Sequence, residues 1–182
     1  MAWRMPLDGK YSYGPKFGVV DSWHPNGHRG TDYNGFKGGT KYFAVNNGTI
    51  AVNKWSDGIG WVVVLKVGGK YFGYCHMDKQ SPLKVGTAVK AGDVVGTAGT
   101  TGKFSSGVHL HFTLAVTPEG VFAGKVYDAD AFLKQKIAEQ KAVAKAKAKD
   151  AAKAAAAAPA AESPVAAVAP VKTAKKEVTN AE

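Results

Sequence analysis

The sequence predicts an all-β domain followed by an Ala/Lys-rich tail, helical at first and then disordered. Three observations carry that expectation. Up to about Leu133, short β-type runs are separated by glycine-bearing turns, and the 22 glycines suit a loop-rich β protein. No long helical period appears in this stretch. From Ala142 the composition collapses to Ala and Lys, then to Ala and Pro around Pro159, Pro164 and Pro170.

In chain order, the candidate strands are Phe17–Ser22, Thr49–Trp55, Trp61–Val67, Lys70–Met77, Asp93–Thr97 and Val108–Val116. Gly68-Gly69 between two of them signals a two-residue hairpin, because its positive φ angles suit glycine. Asp57-Gly58 marks another turn before Trp61. Asp128 or Asp130 is expected to cap a helix whose apolar side holds Phe132, Leu133 and Ile137. That helix is expected over 128–157, with 158–182 disordered because its prolines interrupt and little there can form a core. The division is therefore 1–133 for the β domain and 134–182 for the basic tail. A domain of roughly 130 residues buries enough surface to fold alone.

Composition limits the rest. Cys75 is the single cysteine among 182 residues, so no intramolecular disulfide forms. The longest apolar run, Trp61–Leu65, is far short of the roughly 18–20 residues that cross a bilayer, so membrane insertion is not expected. The N-terminal residues lack an apolar run of signal-peptide length, so synthesis in the cytoplasm with a separate exit route is expected. The net charge is +10, with fourteen Lys/Arg against nine Asp/Glu in 1–133 and ten against five in 134–182. Such a balance favours polyanions: nucleic acid, anionic lipid or anionic wall polymers.

The chemistry lies in the histidines, His24, His28, His76, His109 and His111. His28-Arg-Gly-Thr-Asp32 is an H-x-x-x-D, and its Gly30 and Thr31 argue against helix. His109-Leu-His111 is an H-x-H in a candidate strand, where residues i and i+2 share a face. Two imidazole nitrogens and one carboxylate oxygen make a catalytic-type zinc set, with a fourth position left for water. Each pattern is weak alone, since half-buried strand histidines are common and an isolated H-x-x-x-D is commonplace.

The ordered series of motifs is far more specific. His28-Arg-Gly-Thr-Asp32, Val45-Asn-Asn-Gly-Thr-Ile50, Tyr74-Cys-His76-Met, Val85 to Gly96, Gly99-Thr-Thr-Gly102 and Gly107-Val-His109-Leu-His111-Phe follow one another. In order and spacing, from about residue 16 to 116, they resemble the lysostaphin/LytM-type metallopeptidases of family M23. The resemblance implies a small antiparallel β domain with a groove that holds the peptide of a bacterial wall. It implies one Zn2+ per chain on His28, Asp32 and His111. It also implies that His76 and His109 flank the attacking water as general base and stabiliser of the tetrahedral intermediate, without deciding which is the base. Met77 replaces the bulky aliphatic residue usual after Tyr-x-His.

On this resemblance the protein is expected to be a zinc endopeptidase cutting peptidoglycan cross-links or stems. With no export signal in view, it resembles a bacteriophage endolysin that reaches the wall after release. The alternative is a catalytically inactive LytM-like module that binds walls or activates another enzyme; retention of the whole ligand set argues against it. A Cys75/His76 hydrolase is opposed by strand alternation, which sends neighbours to opposite faces, and a buried, inert cysteine is expected. His24 matches no ligand and is expected at the surface or at the groove rim. Nucleic acid is not expected as a partner, because the tail has few aromatics and no binding motif. A monomer is expected, with anionic wall polymers as a second partner through the tail. Loops Ser56–Gly60 and Thr100–Ser106 are expected to decide which bond is cut.

Overall fold

Trp61, Val62–Val64, Val67, Tyr71, Phe72 and Tyr74 are residue types that fit a pleated and half-buried surface, and the stretch 60–77 that holds them forms the spine of a sheet. The computed structural model describes residues 2–157. Its strands are β1 (Ser12–Tyr13), β2 (Thr31–Asn34), β3 (Lys41–Phe43), β4 (Gly48–Ser56) and β5 (Gly60–Val67). They continue with β6 (Lys70–Met77), β7 (Ala88–Val89), β8 (Val94–Thr97), β9 (Leu110–Ala115) and β10 (Val126–Tyr127), before helix α1 (Ala129–Ala157). The fold is thus mostly antiparallel β with one C-terminal helix, as expected. One compact unit takes in the chain up to Ala146. The disorder expected for 158–182 lies outside the described residues.

The main sheet runs β1-β2-β9-β6-β5-β4-β7, with β10 beside β9, while β3 and β8 form a separate pair. Alternation divides the burial between two faces. Val63 and Leu65 of β5, Phe72 and Tyr74 of β6, and Leu110, Phe112 and Leu114 of β9 enter the main core. Val62 and Val64, on the opposite face of β5, pack with Cys75, Ala115 and Val121 in a smaller cluster. Residue His111 lies between Leu110 and Phe112 and so shares the second face with Ala115. That face carries the site.

Five of the six expected strands are present with ends shifted by a residue or two. The sixth, Phe17–Ser22, is not a strand. Gly18 has φ 78°, the Gly18 amide donates to the His28 carbonyl, and the His28 amide donates to the Val19 carbonyl. The segment therefore folds against His28 as a loop and leaves Val20 exposed. The two-residue turn at Gly68-Gly69 joins paired Val67 and Lys70, with Gly68 at φ 59°. The short strands β1, β2, β3, β7 and β10 offer too few residues for alternation to register and exist through their pairing partners.

One irregularity matters for function. Trp61 pairs with Met77 and Val63 with Tyr74, so Val62 faces two residues, Cys75 and His76. His76 has φ 57°, in the left-handed region that few non-glycine residues adopt. This bulge breaks the alternation expected at Cys75-His76: Cys75 stays in the smaller cluster, and His76 turns toward the same face instead of the main core.

Helix α1 starts where expected, with the Ala131 amide donating to Asp128 Oδ1 at 2.9 Å, which makes Asp128 the cap. Asp130 is instead buried and accepts from the Tyr33 hydroxyl at 2.8 Å, the Tyr13 hydroxyl at 3.1 Å and Lys134 Nζ at 2.8 Å. Ala129 and Leu133 complete the main core, and the Trp3 amide donates to Gln140 Oε1 at 2.7 Å. The helix therefore packs on the β domain beyond residue 133. Replacing fully buried Leu133 by Ala should cost about 2–5 kcal/mol, measured by urea unfolding; a loss near zero would mean that the first turns of α1 are not part of the core.

Candidate functional site

Antiparallel pairing of β2 with β9 sets Asp32 opposite His111, 79 positions away in sequence. Their neighbours Tyr33, Leu110 and Phe112 point into the main core, so both polar side chains emerge together on the other face. His28 arrives from the loop before β2. Its Nε2 lies 2.9 Å from His111 Nδ1 and 3.3 Å from Asp32 Oδ1, and His111 Nδ1 lies 3.0 Å from that same oxygen. A tetrahedral zinc site with bonds of about 2.0–2.1 Å has ligand atoms about 3.3 Å apart, so this triangle fits one. The sequence-expected ligand trio thus converges on one point.

The orientation of each ring follows from its second nitrogen. A carbonyl only accepts, so Nδ1 of His28 carries a proton donated to the Lys16 carbonyl at 3.2 Å, which leaves Nε2 as the free lone pair. His76 donates from Nδ1 to the Thr101 carbonyl at 2.7 Å, and His109 donates from Nδ1 to the Gly107 carbonyl at 2.8 Å. Both of these residues keep an acceptor Nε2. The rings of His76 and His109 lie 4.6 Å apart, and His109 Nε2 lies 3.9 Å from Asp32 Oδ2.

Charge is tuned by burial and by these contacts. Burial raises the Asp32 carboxyl, but the His111 and His28 rings beside it outweigh that effect and hold the group well below the usual carboxylate range. Burial also lowers His111, against the opposing pull of Asp32. His76 is 2% exposed, and burial pulls its pKa down to about 4, so the ring is neutral at pH 7. Cys75 is fully buried, and burial pushes its thiol far up, so it is no nucleophile.

His28, Asp32, His76, His109 and His111 line a cleft of about 410 Å³. The two loops expected to shape it are tied together: the Lys103 amide donates to the Asp57 carbonyl at 2.8 Å and the Phe104 amide to the Gly58 carbonyl at 2.9 Å. His24 also faces the cleft, its ring 4.2 Å from that of His28 and its Nδ1 bonded to Asp21 Oδ1 at 2.8 Å.

Family comparison agrees with this geometry. The model of peptidase family M23 matches residues 26–129. The chain belongs to peptidase family M23. The peptidoglycan DD-endopeptidase ShyC of Vibrio cholerae is 33% identical over 90 residues, 49% of this chain and 20% of that protein. This chain therefore spans about a fifth of the length of that relative. The catalytic domain of lysostaphin, the antimicrobial peptidase of Staphylococcus simulans, aligns with TM-score 0.58 and 30% identity over 68% of this chain and 92% of that one. The catalytic domain of the prophage-encoded M23 protein EnpA of Enterococcus faecalis aligns with TM-score 0.58 and 28% identity, covering 69% and 95%.

Two supporting residues escape sequence reasoning. A Cβ on Gly30 would lie 2.8 Å from His111 Nε2, so only glycine lets β2 approach that ring. Thr101 holds His76 through its carbonyl, while its hydroxyl donates to the Met77 carbonyl at 2.6 Å and accepts from the Trp61 amide at 3.0 Å. A glycine in H-x-G-x-D carries a faint signal; the Gly99-Thr-Thr-Gly102 motif contains the threonine but does not announce its hold on His76.

The His76 environment predicts a pH effect. Its pKa is about 4 folded against 6.5 for the free group, so between these values the unfolded chain binds more protons. Stability of the metal-free protein should fall as pH drops from 6.5 to 4. His76→Asn, which tolerates the left-handed backbone, should remove about 3 kcal/mol of that decline in urea titrations. Parallel pH profiles for the two proteins would refute the assignment.

Proposed function

We propose that this protein is a zinc-dependent endopeptidase that hydrolyses peptide bonds in the cross-links or stems of bacterial peptidoglycan. The observation that carries this reading is the convergence of two nitrogens and one carboxylate oxygen within 3.3 Å, beside two histidines with acceptor Nε2 atoms at one cleft. Similarity to a peptidoglycan DD-endopeptidase and to lysostaphin supports the substrate class.

His28 Nε2, Asp32 Oδ1 and His111 Nδ1 would hold the ion. Zinc supplies Lewis acidity there, acidifying a water and polarising a carbonyl. The chain's own residues do the rest. Asp32, anionic through its histidine contacts, supplies the negative charge that favours a divalent cation. His109, near Asp32 Oδ2 and partly open to the cleft, takes the proton of the attacking water at Nε2 and hands it to the departing amine. His76, closed in and neutral, accepts a hydrogen bond from that water and orients it.

A silent wall-binding module would have no need for both acceptor nitrogens beside a complete ligand trio. Similarity to a prophage-encoded M23 protein and to an antimicrobial peptidase supports a role in phage-mediated lysis; on that reading we propose a monomer that is made in the host cytoplasm and acts on the wall after release. The lysine-rich stretch from Lys141 to Lys153 is exposed and suits anionic wall polymers as a tether.

Two measurements test these roles. Wild type should carry about one zinc per chain and cleave purified peptidoglycan. His111→Ala should lose the metal, whereas His109→Ala and His76→Ala should keep it and lose about 10²–10⁴-fold in rate. A folded, zinc-free and inactive wild type would sink the proposal. Truncation after Ala146 should leave turnover of soluble peptides intact and weaken sedimentation with walls at low salt; lost turnover would make the tail structural.

A further inference from the structure

Two cavities open on the face of the histidines, one of about 410 Å³ and one of about 240 Å³. Both are lined by Trp23, His24, Asp32, Phe104 and His109. Residues common to adjoining cavities mark the passage between them. Asp32 and His109 form its floor at the proposed metal centre, whereas Trp23 is 77% exposed and Phe104 73% exposed at its rim. A peptide reaching from one cavity into the other crosses that floor past both aromatic rings, which line both cavities.

Neither ring belongs to a core, yet the backbone that carries each of them is held. Asp21 Oδ1 accepts from the Trp23 amide at 2.9 Å, the His24 amide at 2.8 Å and His24 Nδ1 at 2.8 Å, which pins the loop that carries Trp23. The Phe104 ring lies over Gly58 so closely that a Cβ there would be 2.5 Å from its Cε2. Its amide is tied to the Gly58 carbonyl. Large aromatic surfaces left in water but anchored through the backbone are suited to binding, because little freedom is lost when a ligand stacks on them.

We propose that Trp23 and Phe104 form an aromatic pinch that holds an extended peptide strand across the centre, with one part of the strand in each cavity. The inference rests on the peptidase reading for the identity of that strand. The rings act on substrate binding and contribute nothing to metal binding or to proton transfer. Their effect therefore falls on KM rather than kcat.

The test uses soluble cross-linked peptide dimers released from purified peptidoglycan. Trp23→Ala and Phe104→Ala should each raise KM about tenfold with kcat within about twofold of wild type. Zinc content and Tm should match wild type, and Trp23→Phe should restore most of the affinity. Tryptophan emission of the zinc-free protein should change on addition of the same dimers, and Trp23→Phe should abolish that change. An unchanged KM in both alanine variants, or a fall in kcat at constant KM, would overturn the pinch. Wild type that binds the dimers by fluorescence without cleaving them would instead refute the peptidase reading and leave the pinch standing.

Discussion

The pairing of β2 with β9 is the constraint on which the rest of this molecule depends. Antiparallel register is an all-or-none property: a slip of one residue sends every side chain to the other face. Here the register is held by Tyr33, Leu110 and Phe112, which must enter the main core. Asp32 and His111 are placed side by side as a consequence of that apolar requirement. The absence of a side chain at Gly30 then lets the approach close, and His28 completes the triangle from a loop pinned at both its amide and its carbonyl.

Around that triangle, backbone carbonyls do the orienting. Three histidines of the site give their Nδ1 proton to a carbonyl of a loop, Lys16, Thr101 or Gly107. Loop conformation is thus converted into tautomer, and tautomer into the direction of a lone pair. The β6 bulge belongs to the same logic. A regular strand would aim His76 into the main core, where a ring nitrogen has no partner; one extra residue turns it into the cleft instead.

The helix is bound to the same strand by polar means. Tyr33, next to Asp32, donates to buried Asp130, which also receives Tyr13 and Lys134. An unpaired buried carboxylate is costly, so this group docks only when β1, β2 and α1 are all in place. The strand that aims one carboxylate at the cleft therefore anchors α1 through another.

Much of this was legible in the sequence, and for identifiable reasons. Strands β4, β5 and β6 are long enough for β-branched and aromatic residues, with the Gly68-Gly69 turn, to declare them. The ordered motifs from His28 to Phe112 pointed to the family and to five histidine and aspartate positions, because metal chemistry restricts which residue types serve. Other features were decided only by the tertiary structure. Phe17–Ser22 has the composition of a strand, yet the positive φ of Gly18 and the backbone bonds of Gly18 and Val19 to His28 make it a loop. The facing of Cys75 and His76 depends on a bulge that no local pattern announces. Thr101 and the exposed rings of Trp23 and Phe104 take their roles from neighbours about 25 to 80 positions away. A sequence states which side chains are chemically able to act; only the register of distant strands decides which of them meet, because that register is set by core packing rather than by the polar residues it brings together.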